Sequence, residues 1–254
     1  MKKLKILVTN DDGITAPGIY ALAKELQKIA DVTVVAPLTE QSAVGHAITM
    51  KNPLRLKDII INNEFFGYAF DGTPADCVKM GIRNILKEKP DLVISGINNG
   101  ANTAINIIYS GTVSGAREAA IMDVPSIAVS VTSHEPKTYD IAAQIAAEYA
   151  IKVFKNPLPN GTLLNINVPN CSKEEIKGHI VTKQGKSKWD DEYEERIDPM
   201  GKKYYWLKGD WIELDNSIDF DHFATQQNYV SLTPIHFDLT DYENLTFVKK
   251  YYLD

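Results

Sequence analysis

The chain has 254 residues, 44% hydrophobic and 24% charged, and its 27 Lys and Arg against 33 Asp and Glu give a formal charge of -6. That length can bury the core of one α/β domain, or one domain plus an appendage, and an acidic balance without a Lys/Arg run excludes a general nucleic-acid binder, which needs a basic face. No apolar run approaches the roughly 18 residues of a membrane span, and the first apolar stretch gives out at Asn10-Asp11-Asp12, too early for an export signal, so a cytoplasmic protein without a membrane partner is expected.

Residues 4–9 form a short apolar run rich in β-formers, followed by a polar loop and by Pro17, a residue suited to the first helical position. Ile19, Leu22, Ala23, Leu26 and Ile29 then recur at helical spacing, and residues 32–36 form a second apolar run, completing a β-α-β unit. Residues 47–56 and 65–70 read as extra strands beside the main sheet. Asp71-Gly72-Thr73-Pro74-Ala75-Asp76 reads as a helix start with Thr73 as N-cap, leading into Val78, Ile82, Ile85 and Leu86. Strands at 91–95, 126–131 and 162–168 alternate with helices at 113–121 and 138–154, which implies a mostly parallel, Rossmann-like sheet with helices on both faces.

After about residue 170 the character changes. Trp189, Trp206 and Trp211 lie in a stretch of interleaved aromatic and charged residues, and residues 229–235 read as a late strand. The expected division is a catalytic core over 1–170 and a C-terminal hairpin and arm over 171–254 that completes the sheet, the hairpin burying itself against its own core or a partner subunit. Cys77 and Cys171 cannot supply a zinc cluster.

Ligands of parallel α/β sheets sit outside the carboxyl ends of the strands, so the loops there carry the functional argument. Asn10-Asp11-Asp12-Gly13 follows the first strand. Adjacent carboxylates repel, and a divalent cation removes the repulsion; oxygen ligands suit Mg²⁺ or Mn²⁺. Gly96-Ile97-Asn98-Asn99-Gly100-Ala101-Asn102 follows another strand and offers amide oxygens to a metal and amide donors to a phosphate. Tyr109-Ser110-Gly111-Thr112 precedes a helix, where free N–H groups and two hydroxyls make a phosphate cradle, or Thr112 is a plain N-cap. The first loop lacks the G-x-G-x-x-G dinucleotide fingerprint. The five histidines show no metal-ligand spacing; His46 alone lies in a loop after a sheet strand, and a satisfied surface role suits it better than a place in the site.

Together these segments resemble the SurE family of stationary-phase survival proteins, metal-dependent 5′-nucleotidases. The resemblance rests on Val8-Thr9-Asn10-Asp11-Asp12-Gly13, Ala36-Pro37 with Gln41-Ser42, Gly72-Thr73-Pro74-Ala75-Asp76-Cys77, Ser95-Gly96-Ile97-Asn98 with Gly100-Ala101-Asn102, and Tyr109-Ser110-Gly111-Thr112-Val113, in that order. It implies one divalent ion held by Asp11, Asp12, Ser42 and Asn98, a phosphate pocket lined by Asn102, Ser110, Gly111 and Thr112, and a C-terminal arm exchanged in a homodimer or homotetramer. The chain departs at Ala104, where the family usually has Gly.

The activity this implies is hydrolysis of a nucleoside 5′-monophosphate, with Asp11 as the catalytic carboxylate, either a base for water or a nucleophile. No residue stands out in the sequence as an acid for the leaving group. The alternatives are a broader 3′-nucleotidase or exopolyphosphatase using the same site, and a non-catalytic protein that binds a metal–nucleotide complex.

Overall fold

The computed structural model describes residues 3–253. Its first half runs β1 (Leu4–Thr9), α1 (Pro17–Leu26), β2 (Ala30–Pro37), β3 (Leu56–Ile61), β4 (Glu64–Phe70), α2 (Pro74–Met80), β5 (Leu92–Asn99), α3 (Asn106–Tyr109) and α4 (Gly111–Ile121). The second half runs β6 (Ser126–Val131), α5 (Asp140–Lys155), β7 (Thr162–Val168), β8 (Gly178–Val181), β9 (Lys188–Ile197), β10 (Lys203–Ile212), α6 (Asp221–Gln226), β11 (Tyr229–His236) and α7 (Leu245–Tyr252).

Nine strands form one sheet in the order β3-β4-β2-β1-β5-β6-β7-β11-β8, parallel except at β3/β4 and β7/β11. Both faces are covered, and β1 shows why its sequence is apolar throughout. Ile6 and Val8 pack into the cluster that includes Ile19, Leu22 and Leu26 of α1 and Ala146 and Ala150 of α5. Leu7, pointing the other way, packs with Cys77, Val78 and Ala119 from α2 and α4. A strand buried on both sides has no polar alternation to show.

The expected strand at 47–56 is not formed; the antiparallel partner of β4 is β3, starting where that stretch ends. The reason is a competing set of backbone partners. The N–H of Thr49 donates to both carboxylate oxygens of Asp76 at 3.1 Å, and the carbonyl of Ala47 accepts the Thr73 hydroxyl at 2.7 Å. Thr73 and Asp76 also form the capping box of α2, with Pro74 in its first turn as expected. One helix cap therefore serves two segments. The β3–β4 turn is Asn62-Asn63 with φ of 52° and 64°, the left-handed pair that a tight hairpin requires.

The register of β5 against β6 shifts in the middle. Ser95 pairs with Ala128 and Asn98 with Ser130, so β5 carries one residue more than its partner across that interval. Such a bulge re-aims the residues that follow it, and the residue re-aimed here is Asn98. Among the described residues no helix is long and apolar enough to cross a membrane.

The β9–β10 hairpin forms a separate two-stranded sheet. Tyr193 is 71% and Trp206 59% exposed, and α7 buries none of its residues, so within one chain these aromatic surfaces are not covered.

Helix α1 lies directly against the β5 backbone at Gly18, where a Cβ would sit 2.2 Å from the carbonyl oxygen of Ile97. Gly18→Ala is expected to destabilise the fold by about 1–3 kcal/mol through this overpacking, measured by chemical denaturation. Wild-type stability in that variant would show that α1 is not held at this distance.

Candidate active site

Strand β1 is the point at which the sheet's winding reverses: the chain proceeds from β1 outward to β2 and β4, then returns to β5 on the other side of β1. The carboxyl ends of β1 and β5 therefore flank a crevice, the expected ligand position in an open α/β sheet. A cavity of about 400 Å³ opens there, and its lining includes Asp11, Asp12, Ser42, Asn98, Asn102 and Ser110. Of the sequence-derived site residues, Gly111 and Thr112 do not face this cavity; they lie behind Asp11.

Asp11 is only 5% exposed. Its Oδ1 accepts a hydrogen bond from the Thr112 hydroxyl, and Gly111 lies so close that a Cβ there would meet Oδ2 at 2.8 Å. The carboxylate thus docks on the first turn of α4, where the helix dipole favours an anion. Burial nonetheless raises its pKa, with the Thr112 hydroxyl and backbone N–H opposing the rise. The N-cap of α4 is Ser110, whose hydroxyl accepts from the Val113 N–H at 3.0 Å, so Thr112 is not the cap.

Asp12 is raised to about 7, first by burial and then by the Asp11 charge, with a backbone hydrogen bond from Asn99 opposing and Glu40 adding to the rise. The backbone N–H of Gln41 donates to the Asp11 carbonyl at 2.7 Å, bringing the Ser42 loop to the rim. The Ser42 hydroxyl donates to Glu40. Asn98 donates through Nδ2 to the Asn99 and Gly100 carbonyls at 3.1 and 2.8 Å, which leaves its side-chain oxygen for a ligand.

The lining contains Asp11, Asp12 and Glu40 but no Lys or Arg. Carboxylates gathered without a counter-cation, beside neutral oxygens from Ser42 and Asn98, fit a hard divalent ion. Among the described residues no three His, Cys, Asp or Glu side chains converge to hold an ion by themselves, so the neutral oxygens are needed to complete a ligand set.

Asn102 is fixed by residues that sequence reasoning did not single out. Its N–H donates to Asn167 Oδ1 at 2.8 Å, its Nδ2 to Ser130 Oγ at 2.8 Å, and its carbonyl accepts from Asn165 and Asn167. All three partners are fully buried and lie on β6 and β7. Polar residues at core positions of buried strands were the available signal. Ala104 adopts φ of 49°, the left-handed conformation suited to Gly, and its N–H is held by both oxygens of Asp221 at 3.1 Å.

His46 does not line the cavity and pairs with buried Glu118 at 2.8 Å, so it is a satisfied histidine that anchors the loop. The histidine in the cavity lining is His134, from the loop after β6.

The sequence profile described as "Survival protein SurE" matches residues 6–191. The chain is 53% identical over 251 residues to the 5′-nucleotidase SurE of Thermosipho melanesiensis, covering 99% of this chain and 98% of that one. It is 48% identical to the 5′-nucleotidase SurE of Syntrophobacter fumaroxidans, covering 98% and 100%. The crystal structure of the SurE protein from Aquifex aeolicus superposes with a TM-score of 0.84 at 42% identity, covering 97% of this chain and 98% of that chain.

The Asp12 shift has a measurable consequence in metal-free protein. The ordinary carboxylate value is 3.8 and the folded value about 7. The folded state therefore retains a proton that the unfolded state releases between those limits, and this contribution to stability is full at low pH and lost as pH rises through about 7. With chelator present, thermal unfolding should show stability declining over this window, and Asp12→Asn should flatten the decline. An identical pH profile in the variant would remove Asp12 as its source.

Proposed function

The chain belongs to the SurE family, and from that membership we propose that it is a 5′-nucleotidase that hydrolyses nucleoside 5′-monophosphates with one divalent ion, Mg²⁺ or Mn²⁺, at Asp11, Asp12, Ser42 and Asn98. The observation that carries this reading is buried Asp11 beside half-buried Asp12 at the switch point of the sheet, facing a cavity without a Lys or Arg side chain. When bound, the ion supplies Lewis-acid polarisation and a nucleophile at neutral pH.

The protein's own groups account for the rest. The Thr112 hydroxyl fixes Asp11 through Oδ1, and the Asp11 carboxylate so held is the group that orients the attacking water and takes its proton. Asn102, immobilised through Asn167 and Ser130, and Ser110, immobilised as the cap of α4, present polar groups at fixed positions to the phosphoryl oxygens. Gly111 and Thr112 serve the phosphate by holding Asp11. The uncovered faces of the β9–β10 hairpin and α7 support a second copy of the chain as their partner, and light scattering of the purified protein should give a dimer or tetramer mass.

Phosphate release from a panel of nucleotides, after chelator treatment and with each divalent metal restored, tests the reading. Activity on 5′-monophosphates should vanish with chelator and return with Mg²⁺ or Mn²⁺, and Asp11→Asn should lower turnover by about 10²–10⁴-fold. Full activity in chelator would overturn the metal assignment. Faster release from 3′-nucleotides or polyphosphate would favour the broader phosphatase.

A further inference from the structure

Breaking the ester bond of a nucleoside 5′-monophosphate places an electron pair on O5′, a poor leaving group unless it receives a proton. The carboxylates at the end of β1 cannot serve both ends of the displacement, because attacking and leaving oxygens lie on opposite sides of phosphorus. Resting on the 5′-nucleotidase reading, we propose that His134 is the general acid that protonates O5′.

Placement is the first argument. Across the carboxyl edge of the sheet the strands run β1, β5, β6, bearing in turn Asp11 and Asp12, the 98–100 loop, and the segment that leads to His134. Adjacent strands lie about 4.8 Å apart, so the ends of β1 and β6 are separated by roughly 10 Å. That span accommodates an in-line phosphoryl group above the end of β5, with water on the β1 side and O5′ on the β6 side.

The support beneath the ring is the second, His134 itself being exposed at the cavity mouth. The imidazole rests on Gly100, where a Cβ would come within 2.8 Å of Cε1 and 3.0 Å of Nδ1. Gly100 is itself pinned, its N–H donating to the carbonyls of Val131 and Ser133 at 3.0 and 2.8 Å, and Thr132 is tied to Val168 at 3.0 Å. Both ring nitrogens of His134 lack a hydrogen-bond partner among the described residues, so either is free to meet a ligand.

The third argument is chemical. Apart from the carboxylates and the far less acidic Ser42 and Ser110 hydroxyls and Asn amides, the proton-bearing side chains of the lining are His134 and Tyr109. Imidazole is the side chain whose proton is transferable near neutral pH, while a phenol is a far weaker acid. In the step, water oxygen bonds to phosphorus as the P–O5′ bond breaks, and the bond pair passes to O5′. His134 delivers its proton there while Asp11 takes the water proton, and solvent restores both groups.

The test compares a nucleoside 5′-monophosphate with p-nitrophenyl phosphate, whose nitrophenolate leaves without a proton, using metal-loaded wild type, His134→Asn and Tyr109→Phe. His134→Asn should lower kcat on the nucleotide by about 10²-fold or more, with KM little changed and p-nitrophenyl phosphate turnover nearly retained. Tyr109→Phe should retain both activities. Equal losses on the two substrates in His134→Asn would assign the residue to binding or structure, and no loss on either would remove it from the mechanism; both overturn the proposal. Failure of the wild type to release phosphate from any nucleotide would overturn the 5′-nucleotidase reading instead, and is seen before a variant is made.

Discussion

The site is organised by one contact, the Asp11 carboxylate against the first turn of α4. It joins the end of β1 to a helix that enters the sheet's other face a hundred residues later, and it requires Gly at 111 because any Cβ would strike the carboxylate. The Thr112 hydroxyl and the helix N-terminus stabilise the anion, but burial still raises its pKa. Asp12 adds a second carboxylate to the same environment. The fold thus concentrates carboxylates where water is scarce and supplies no Lys or Arg to meet them. On the proposed reading a small divalent ion would relieve that imbalance, and a phosphate dianion could then approach an acidic protein without any basic surface. The net charge of -6 is compatible with an anionic substrate for this reason.

Much of the core was legible because buried parallel strands and amphipathic helices carry strong patterns. β1, β6 and β7 fall at the residues their apolar runs indicate, and Thr73, Pro74 and Asp76 form the capping box they spell. The stretch 47–56 misled because its alternation resembles a strand, while its N–H and C=O groups are claimed by Asp76 and Thr73, a long-range choice that no local pattern encodes. β8 is four residues long with alternate positions only partly buried, too short a signal to separate from loop. The Asn98 position depends on a bulge, which is a property of strand pairing and invisible in β5 alone.

The same distinction applies to the site. Motif residues marked the loops that converge, and Asp11, Asp12, Ser42, Asn98, Asn102 and Ser110 do line one cavity. Their division of labour was not legible. Ser110-Gly111-Thr112 reads as a phosphate cradle in one dimension; in three, Thr112 and Gly111 face Asp11, and only Ser110 reaches the cavity. Likewise His46 follows a sheet strand in sequence yet is tied to Glu118, whereas His134 reaches the cavity because β6 lies next to β5.

The loop bearing Asn102 also ties the first half of the chain to the last. Asp221, fully buried, accepts N–H groups from Ala104, Gly185 and His222, and Asp215 accepts those of Lys186 and Ser187. Trp189, the first aromatic of the exposed hairpin, donates its indole N–H to Asn106 at 2.9 Å. Ala104 is held in a left-handed backbone conformation by this clamp, at a cost that a Gly would not incur. The strain is tolerable because three separate groups fix the same turn: Asp221 on its N–H, Gln184 on its carbonyl, and His222 on the Thr103 hydroxyl. Residues far beyond the parallel core therefore set the geometry of the Asn102 side of the cavity, and the segment that carries the hairpin is the one that holds that side in place.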